Sequence, residues 1–160
     1  MCCNGVLFHS VRLQATDPIR KLAALGLRPK RQHVPQPCPA HQNSQCTIYA
    51  DRPGRCREFN CQQLQGLEAG TINEARALET IGEAQRYLTR VQELFLQAKD
   101  SRLHKPIATR YAAIFTEPLD PSAEAVAVRK ALKAAMRDLE THLAQNFRTS
   151  PAPSLGSEGI

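Results

Sequence analysis

The sequence has few aromatic residues, no tryptophan and no long apolar run. Aromatic side chains make up 5% of its 160 residues, so any core must be thin and built largely from alanine and leucine. No apolar stretch approaches the roughly 20 residues that a membrane-spanning helix needs. The opening stretch, MCCNGVLFHSVRLQ, lacks a basic segment followed by a sustained apolar one. It does not read as a secretory signal, and the expected compartment is the cytoplasm, with no membrane partner.

Recognisable catalytic patterns are also missing. The serine, histidine and aspartate residues are scattered, with no spacing that pairs a nucleophile with a base. The chain has no glycine-rich phosphate loop and no nucleotide-cofactor fingerprint. We therefore assign no catalytic residue and no cofactor-binding residue from these patterns, and whether the chain is an enzyme stays open.

Cysteine is what the sequence does have, and all of it lies in the first part of the chain. Cytoplasmic thiols stay mostly reduced, so clustered cysteines there indicate metal binding or redox chemistry more often than structural disulfides. An even number of cysteines leaves disulfides as an alternative, although neighbouring cysteines pair with each other only under strain. The candidate metal ligands are all six cysteines: Cys2, Cys3, Cys38, Cys46, Cys56 and Cys61.

Positive charge is concentrated in the same part of the chain. Residues 1–70 hold nine Lys/Arg against four Asp/Glu, which accounts for +5 of the formal net charge of +6. Four thiolates around a divalent ion, or around an oxidised four-iron cluster, carry a net negative charge. Nearby Arg52 and Arg57 would offset that charge and lower the thiol pKa values. Part of the basic excess is therefore expected to be internal compensation, and a nucleic-acid partner is not favoured.

The residue pattern changes near residue 70, from an irregular, cysteine-bearing segment to long helical repeats. The pattern predicts a mainly α protein: a small irregular cysteine-rich metal-binding module over 1–70, a long two-helix antiparallel hairpin over 71–148, and a disordered tail over 149–160. Thr71 with Glu74 has the signature of a capping box at the start of the first long helix. Apolar residues then recur every three or four positions in both helices, the spacing of a helix–helix seam. They are Ile81, Ala84, Leu88, Val91, Phe95 and Ala98, then Ala125, Val128, Leu132, Ala135 and Leu139.

Shorter elements are predicted within the module. Asp17 is a plausible N-cap for a helix that ends at Gly26. The stretch CTIYA is typical of a short strand. The stretch DRPGRCREFNCQQLQGL is typical of a turn followed by one helix.

On a continuous helix Cys56 and Cys61 would point apart, so both can ligate one centre only if the helix begins late or breaks near Asn60. Tyr49 and Phe59 are expected to anchor a small core. The connection over 101–121 is long for a bundle loop.

One stretch resembles a known family. PCPAHQNSQCTIYADRPGRCREF is similar to the YkgJ-type cysteine-cluster family, described as a zinc- or iron-chelating domain. Cys38 matches its middle cysteine, and Cys2 and Cys3 match the final pair of its opening cluster; the family's further upstream cysteines have no counterpart here. The residues that match the later segments are Cys46, Ile48, Tyr49, Arg52, Pro53, Cys56, Arg57 and Phe59.

The resemblance implies a zinc ion or an iron–sulfur cluster as the cofactor. It favours Cys3 (or Cys2), Cys38, Cys46 and Cys56 as ligands, and Cys61 is the alternative ligand. The expected function is metal binding of unassigned physiological role, with a protein partner contacted through the helical half. A flagellin lysine methylase resembles the family in its cysteine cluster, so an enzyme or accessory subunit of protein modification is one alternative. A zinc-dependent nucleic-acid-binding module is the other.

Overall fold

The structure, a computed structural model, describes residues 2–118 and 120–149 and is mainly α, as the sequence predicts. Within these residues no helix is both long and apolar enough to cross a membrane. The predicted tail over 149–160 lies outside the described residues, apart from Thr149. In chain order the elements are β1 (Ser10–Arg12), α1 (Ile19–Ala24), β2 (His33–Pro35), β3 (His41–Gln42), β4 (Gln45–Cys46), α2 (Gly54–Glu58), α3 (Gln62–Glu68), α4 (Glu74–Gln97), α5 (Ile107–Thr116) and α6 (Ala123–Asn146).

The chain divides into two compact units. Unit one comprises the described parts of Met1–Phe59 and Glu93–Ala131, and unit two those of Asn60–Gln92 and Leu132–Ile160. Helices α4 and α6 therefore contribute residues to both. The predicted organisation into 1–70, 71–148 and 149–160 stays a prediction.

Unit one contains two short antiparallel strand pairs. β1 pairs with β2, with Val11 opposite Val34, and β3 pairs with β4. The sequence predicts a strand over CTIYA. The strand instead ends at Cys46 and is followed by a 3-10 turn, Tyr49–Asp51.

A small apolar cluster lies beneath these strands, and α1 contributes to it through the way the helix ends. Gly26 has a φ of +91°, a conformation that glycine adopts without strain. The N–H of Leu27 donates to the carbonyl of Leu22 at 3.1 Å, and that of Gly26 to Ala23 at 3.0 Å. This is the Schellman arrangement, which brings the residues on either side of the helix end into contact. The cluster consists of Leu13, Leu22, Leu27, Val34, Ala40 and Ile48.

The start of α4 differs in detail from the prediction. Asn73, rather than Thr71, caps the helix: its side-chain oxygen accepts from the N–H of Arg76 at 2.9 Å. The hydroxyl of Thr71 donates instead to the carbonyl of Gly66 at 3.2 Å. Asparagine and threonine are both good caps, so the composition of this stretch does not decide between them.

The predicted apolar seam is mostly buried in α4 and only partly buried in α6. Four of the six α4 positions and two of the five α6 positions are buried: Ala84, Leu88, Val91, Phe95, Leu132 and Leu139. Within unit two, His142 of α6 meets α4, with its Nε2 3.2 Å from the carbonyl oxygen of Thr80 and its ring centroid 5.2 Å from that of Tyr87. The two helices are therefore in contact at this level. Their full antiparallel pairing stays a prediction.

The connection predicted over 101–121 contains α5, and a buried ion network ties this helix to the end of α4. The Asp100 side chain is fully buried, and Arg110 donates to it through Nε at 2.6 Å. Arg102 also pairs with Asp100 and reaches Glu117 at 2.7 Å. The Arg110 guanidinium lies 4.2 Å from the centre of the Phe95 ring. A carboxylate with two arginine partners is well compensated for its burial.

Acid should destabilise the protein through Asp100. Burial alone raises the pKa of this carboxyl, but hydrogen bonds from Arg110 and Arg102 outweigh burial and hold the pKa below its usual range. The ionised group therefore contributes stability above the ordinary aspartate pKa of about 4, and this contribution is lost as the pH falls through the lower folded-state value.

Asp100→Asn should lower the free energy of unfolding at neutral pH by about 3 kcal/mol, measured by urea denaturation. Asp138→Asn, in an exposed pair with Arg137, should cost less than about 1 kcal/mol. An unchanged acid dependence in Asp100→Asn would contradict this assignment.

Lys99 should be a weak point at the end of α4. It has a φ of +56°, and Asp100 and Lys99 donate to the carbonyls of Phe95 and Leu96, both at 2.9 Å. This is the same helix ending as at Gly26, with a side chain where glycine is preferred. Lys99→Gly should raise the free energy of unfolding by about 0.5–1 kcal/mol, and Gly26→Ala, whose added Cβ meets nothing, should lower it by about 1 kcal/mol. Thermal denaturation of the two variants tests both signs.

Candidate functional site

Five of the six cysteines lie in unit one, on four separate segments. Cys2 and Cys3 belong to the N-terminal turn, Cys38 follows β2, Cys46 ends β4 and Cys56 lies in α2. All six cysteines are half-buried thiols, with no disulfide among them. Cys61 lies in unit two, immediately before α3.

The segment after β2 turns so that backbone N–H groups face the sulfur of Cys38. The N–H of His41 donates to the carbonyl of Cys38 at 3.0 Å, which closes the turn. The N–H groups of Ala40 and His41 also act on the Cys38 thiol as hydrogen-bond donors. Cys38 in turn donates its own N–H to the carbonyl of Cys3 at 2.7 Å. This turn both joins two cysteine-bearing segments and provides donors that stabilise a negative sulfur.

The hairpin of β3 and β4 positions Cys46. Its two connecting residues, Asn43 and Ser44, have φ values of 47° and 63°, as a tight two-residue hairpin requires. His41 pairs directly with Cys46 in the resulting register, so their side chains project from the same face. Cys38 and Cys46 both pack against the apolar cluster of unit one.

Asp17 positions the helix that carries Cys56. Its two carboxylate oxygens accept from the N–H of Gly54 at 2.8 Å and from that of Gln14 at 2.7 Å. α1 itself begins after Pro18 without a side-chain cap, so the predicted N-cap role of Asp17 is wrong. The local pattern at residues 17–26 is typical of a capped helix. The Asp17 carboxylate instead accepts a hydrogen bond from Gly54, which is far away in the sequence.

The predicted helix after Pro53 is two helices. α2 ends at Glu58, Phe59 is extended, and α3 begins at Gln62. The break falls at Asn60, where the sequence required one if both Cys56 and Cys61 were to ligate the same centre. Phe59 packs edge-on against Phe8, with ring centroids 4.8 Å apart.

Four of the thiols are electrostatic neighbours. Burial raises the pKa of Cys56 to about 12, with further contributions from the charges of Cys3, Cys38 and Cys46. Burial likewise raises the pKa of Cys3 and of Cys38, and charge on Cys46 adds to both shifts. Arg52 opposes the shift at Cys3 and Cys56, although the opposing effect is smaller than that of burial. Arg52 thus acts in the expected direction, but the pKa values of Cys3 and Cys56 are still raised because burial has the larger effect.

The four thiols are nevertheless not spaced as a ligand set. Across residues 2–118 and 120–149, no three His, Cys, Asp or Glu side chains are placed so that they could hold one metal ion. Charge acts over many ångströms, whereas a zinc–sulfur bond is about 2.3 Å long. The two observations are therefore compatible. The thiols share a neighbourhood, and ligation of one ion would require them to move closer together.

Two residues shape the site in ways that the sequence did not predict. Asp17 is one, through its bonds to Gln14 and Gly54. The other is Gly5, whose φ is +80° and whose added Cβ would lie 3.2 Å from the Cα of Pro106. The carbonyl of Gly5 also accepts from the N–H of Ile107 at 3.2 Å. The Asn–Gly pair at residues 4 and 5 is a turn signal that could have marked this position.

The two arginines of the cysteine-bearing segment have different roles. Arg57 donates to two backbone carbonyls, through Nε to Arg52 at 3.0 Å and through Nη2 to Ala50 at 2.9 Å. The Arg52 guanidinium instead lies over the ring of Tyr49, 3.9 Å from its centre. Tyr49 is 65% exposed, so its expected role as a core anchor is wrong.

Comparisons with protein-family models, with curated proteins and with solved structures found no match to this chain. The likeness to the YkgJ-type family therefore stays a prediction based on the motif alone.

Alkylation should detect the buried, crowded environment of Cys56. With a pKa of about 12, this thiol has far less thiolate near pH 8 than an ordinary cysteine, and the thiolate is the nucleophile. In metal-free folded protein, iodoacetamide should modify Cys56 at least about tenfold more slowly than in urea-unfolded protein. Mass spectrometry of the peptide that contains Cys56 gives both rates. Equal rates in the two states would show that Cys56 is neither buried nor crowded by other thiols.

Proposed function

We propose that the chain binds one metal centre, a zinc ion or an iron–sulfur cluster, through Cys3, Cys38, Cys46 and Cys56. The observation that carries the proposal is their mutual electrostatic influence: burial and the other three thiols raise the pKa of Cys56 to about 12. Thiols gathered in this way are costly to ionise together. A bound cation offsets that cost, because it attracts all four sulfurs at once.

The donor chemistry fits such a centre. All-thiolate ligation suits tetrahedral zinc and iron–sulfur clusters alike, and such a centre supplies either structural cross-linking or one-electron chemistry when bound. The chain supplies four sulfurs, two backbone N–H groups directed at Cys38 and the charge of Arg52 close to Cys3 and Cys56. Ligation would draw the sulfurs closer than they now lie.

Proton release is the chemical consequence of this proposal. Thiols with raised pKa values are protonated at neutral pH and must lose their protons to become ligands. Metal affinity should therefore increase with pH, and the bound metal should stabilise unit one by the free energy of binding. Because reduced thiols are needed, we place the protein in a reducing compartment, the cytoplasm.

Cysteine variants test the ligand set. Protein purified without oxygen should contain about one zinc ion or one iron–sulfur cluster per chain, measured as zinc, iron and acid-labile sulfide together with the visible spectrum. Cys38→Ser and Cys56→Ser should each lose most of that metal. Cys61→Ser, in unit two, is the matched control and should retain it.

The possible outcomes separate the alternatives. Colourless protein with zinc indicates a structural centre, whereas brown protein with iron and sulfide favours redox or enzymatic chemistry. If the native chain takes up neither metal even after refolding with it, the proposal is wrong. If Cys61→Ser loses as much metal as Cys56→Ser, the ligand set is wrong although metal binding stands.

A further inference from the structure

The 3-10 turn Tyr49–Asp51 and the residues after it present an arginine and an aromatic ring at the surface of unit one. Tyr49 is 65% exposed, although it follows directly after the buried Ile48. The central carbon of the Arg52 guanidinium lies over the tyrosine ring, 3.9 Å from its centre. An exposed tyrosine covered by an arginine is a feature that neither the apolar cluster nor the thiols require.

The segment that carries this pair is held from several directions. Arg57 donates to the carbonyls of Ala50 and Arg52, and Lys21 forms an ion pair with Asp51 at 2.7 Å. The carboxylate of Asp17 accepts from the N–H of Gly54. These bonds hold the backbone on both sides of the pair. A surface fixed in this way loses little conformational entropy when it binds a partner.

The guanidinium of Arg52 keeps its donors available. Among residues 2–118 and 120–149, no carboxylate or carbonyl oxygen accepts a hydrogen bond from it, and its described contacts are the Tyr49 ring and the charges of Cys3 and Cys56. Stacking uses the face of a guanidinium and leaves its in-plane N–H groups free. Asp51, the nearest carboxylate in sequence, is already paired with Lys21.

The chemistry of the pair selects its ligand. A planar guanidinium fork matches the two oxygens of a carboxylate, and arginine and tyrosine together are typical of the energetic centre of protein interfaces. Residues 1–59 carry nine Lys/Arg against three Asp/Glu, which attracts an acidic surface. Nucleic acid is less well matched, because binding along a phosphate backbone needs a row of available cations. Lys21 and Arg57, which flank the pair, are already engaged within unit one.

We propose that Tyr49 and Arg52 form a docking surface for a carboxylate-bearing segment of an acidic partner protein. The docking proposal requires no bound metal, although Arg52 also lies close enough to Cys3 and Cys56 to act on their charge. Arg52 acts through its in-plane donors, and Tyr49 acts by holding the guanidinium flat and adding apolar contact.

A fluorescent hexaglutamate peptide is the probe, followed by anisotropy at about 0.15 M salt, where long-range attraction is screened. Arg52→Lys keeps the charge but loses the planar fork, and it should weaken binding by about fivefold or more, as should Tyr49→Ala. Tyr49→Phe keeps the ring and should bind within about twofold of the native chain. Arg28→Ala removes an exposed arginine that has no described acceptor and should also change binding by less than about twofold.

Each contrary outcome overturns the proposal. If the native chain does not bind the peptide, or if Arg28→Ala weakens binding as much as Arg52→Lys, the attraction is absent or merely general. If hexathymidylate binds more tightly than hexaglutamate and depends on the same two residues, the surface recognises nucleic acid instead. Circular dichroism spectra and melting curves of all four variants exclude loss of folding as the cause.

Discussion

The carboxylate of Asp17 is the interaction on which the cysteine-bearing part of the structure depends. It accepts hydrogen bonds from two backbone N–H groups, one of Gln14 and one of Gly54, and so joins the segment after β1 to the start of α2. That helix carries Cys56 and also Arg57, whose guanidinium holds the backbone beneath Tyr49 and Arg52. The neighbourhood of thiols and the proposed docking surface therefore rely on one charge-assisted contact. An added Cβ at Gly54 would collide with the end of the Gln14 side chain, which would have to move aside.

The thiols present the opposite situation, a set of groups that do not satisfy one another. Cys3, Cys38, Cys46 and Cys56 repel as thiolates, and burial removes the water that would screen them. A structure that gathers such groups gains stability if they remain protonated or if a cation joins them. The raised pKa values of Cys3, Cys38 and Cys56 favour the protonated thiols in the metal-free chain at neutral pH. In the proposed metal centre a cation would instead offset the repulsion and cross-link four segments of the chain.

Much of the secondary structure could be predicted, because α4 and α6 repeat one apolar period over many turns. Their buried positions, such as Val91 and Leu139, follow directly from that period. The motif around Cys46 and Cys56 also indicated which cysteines to consider. What the sequence did not reveal depends on contacts between residues far apart in the chain. The bond from Asp17 to Gly54 is of this kind.

Turns without glycine were also hard to predict. Arg31 and Gln32 have φ values of 46° and 63°, and Asn43 and Ser44 have similar ones. Asn–Gly or Asp–Gly usually marks such turns, so neither the Lys30–His33 bridge nor the pairing of β3 with β4 could be inferred from its connection. Tyr49 was misjudged because a large aromatic residue next to a buried isoleucine is ordinarily buried too. The Arg52 guanidinium, from three residues further along the chain, lies over the exposed ring.

The hairpin of β3 and β4 also has a consequence for the order of folding. Its turn closes over only a few residues, and hairpins form within about 1–10 microseconds, well before distant segments meet. Cys38 and Cys46, on the two sides of that turn, therefore come together early and by local contacts alone. Cys3 and Cys56 are recruited through long loops, whose closure costs more entropy. We therefore expect Cys38 and Cys46 to approach each other first during folding, and the segments that carry Cys3 and Cys56 to join them later.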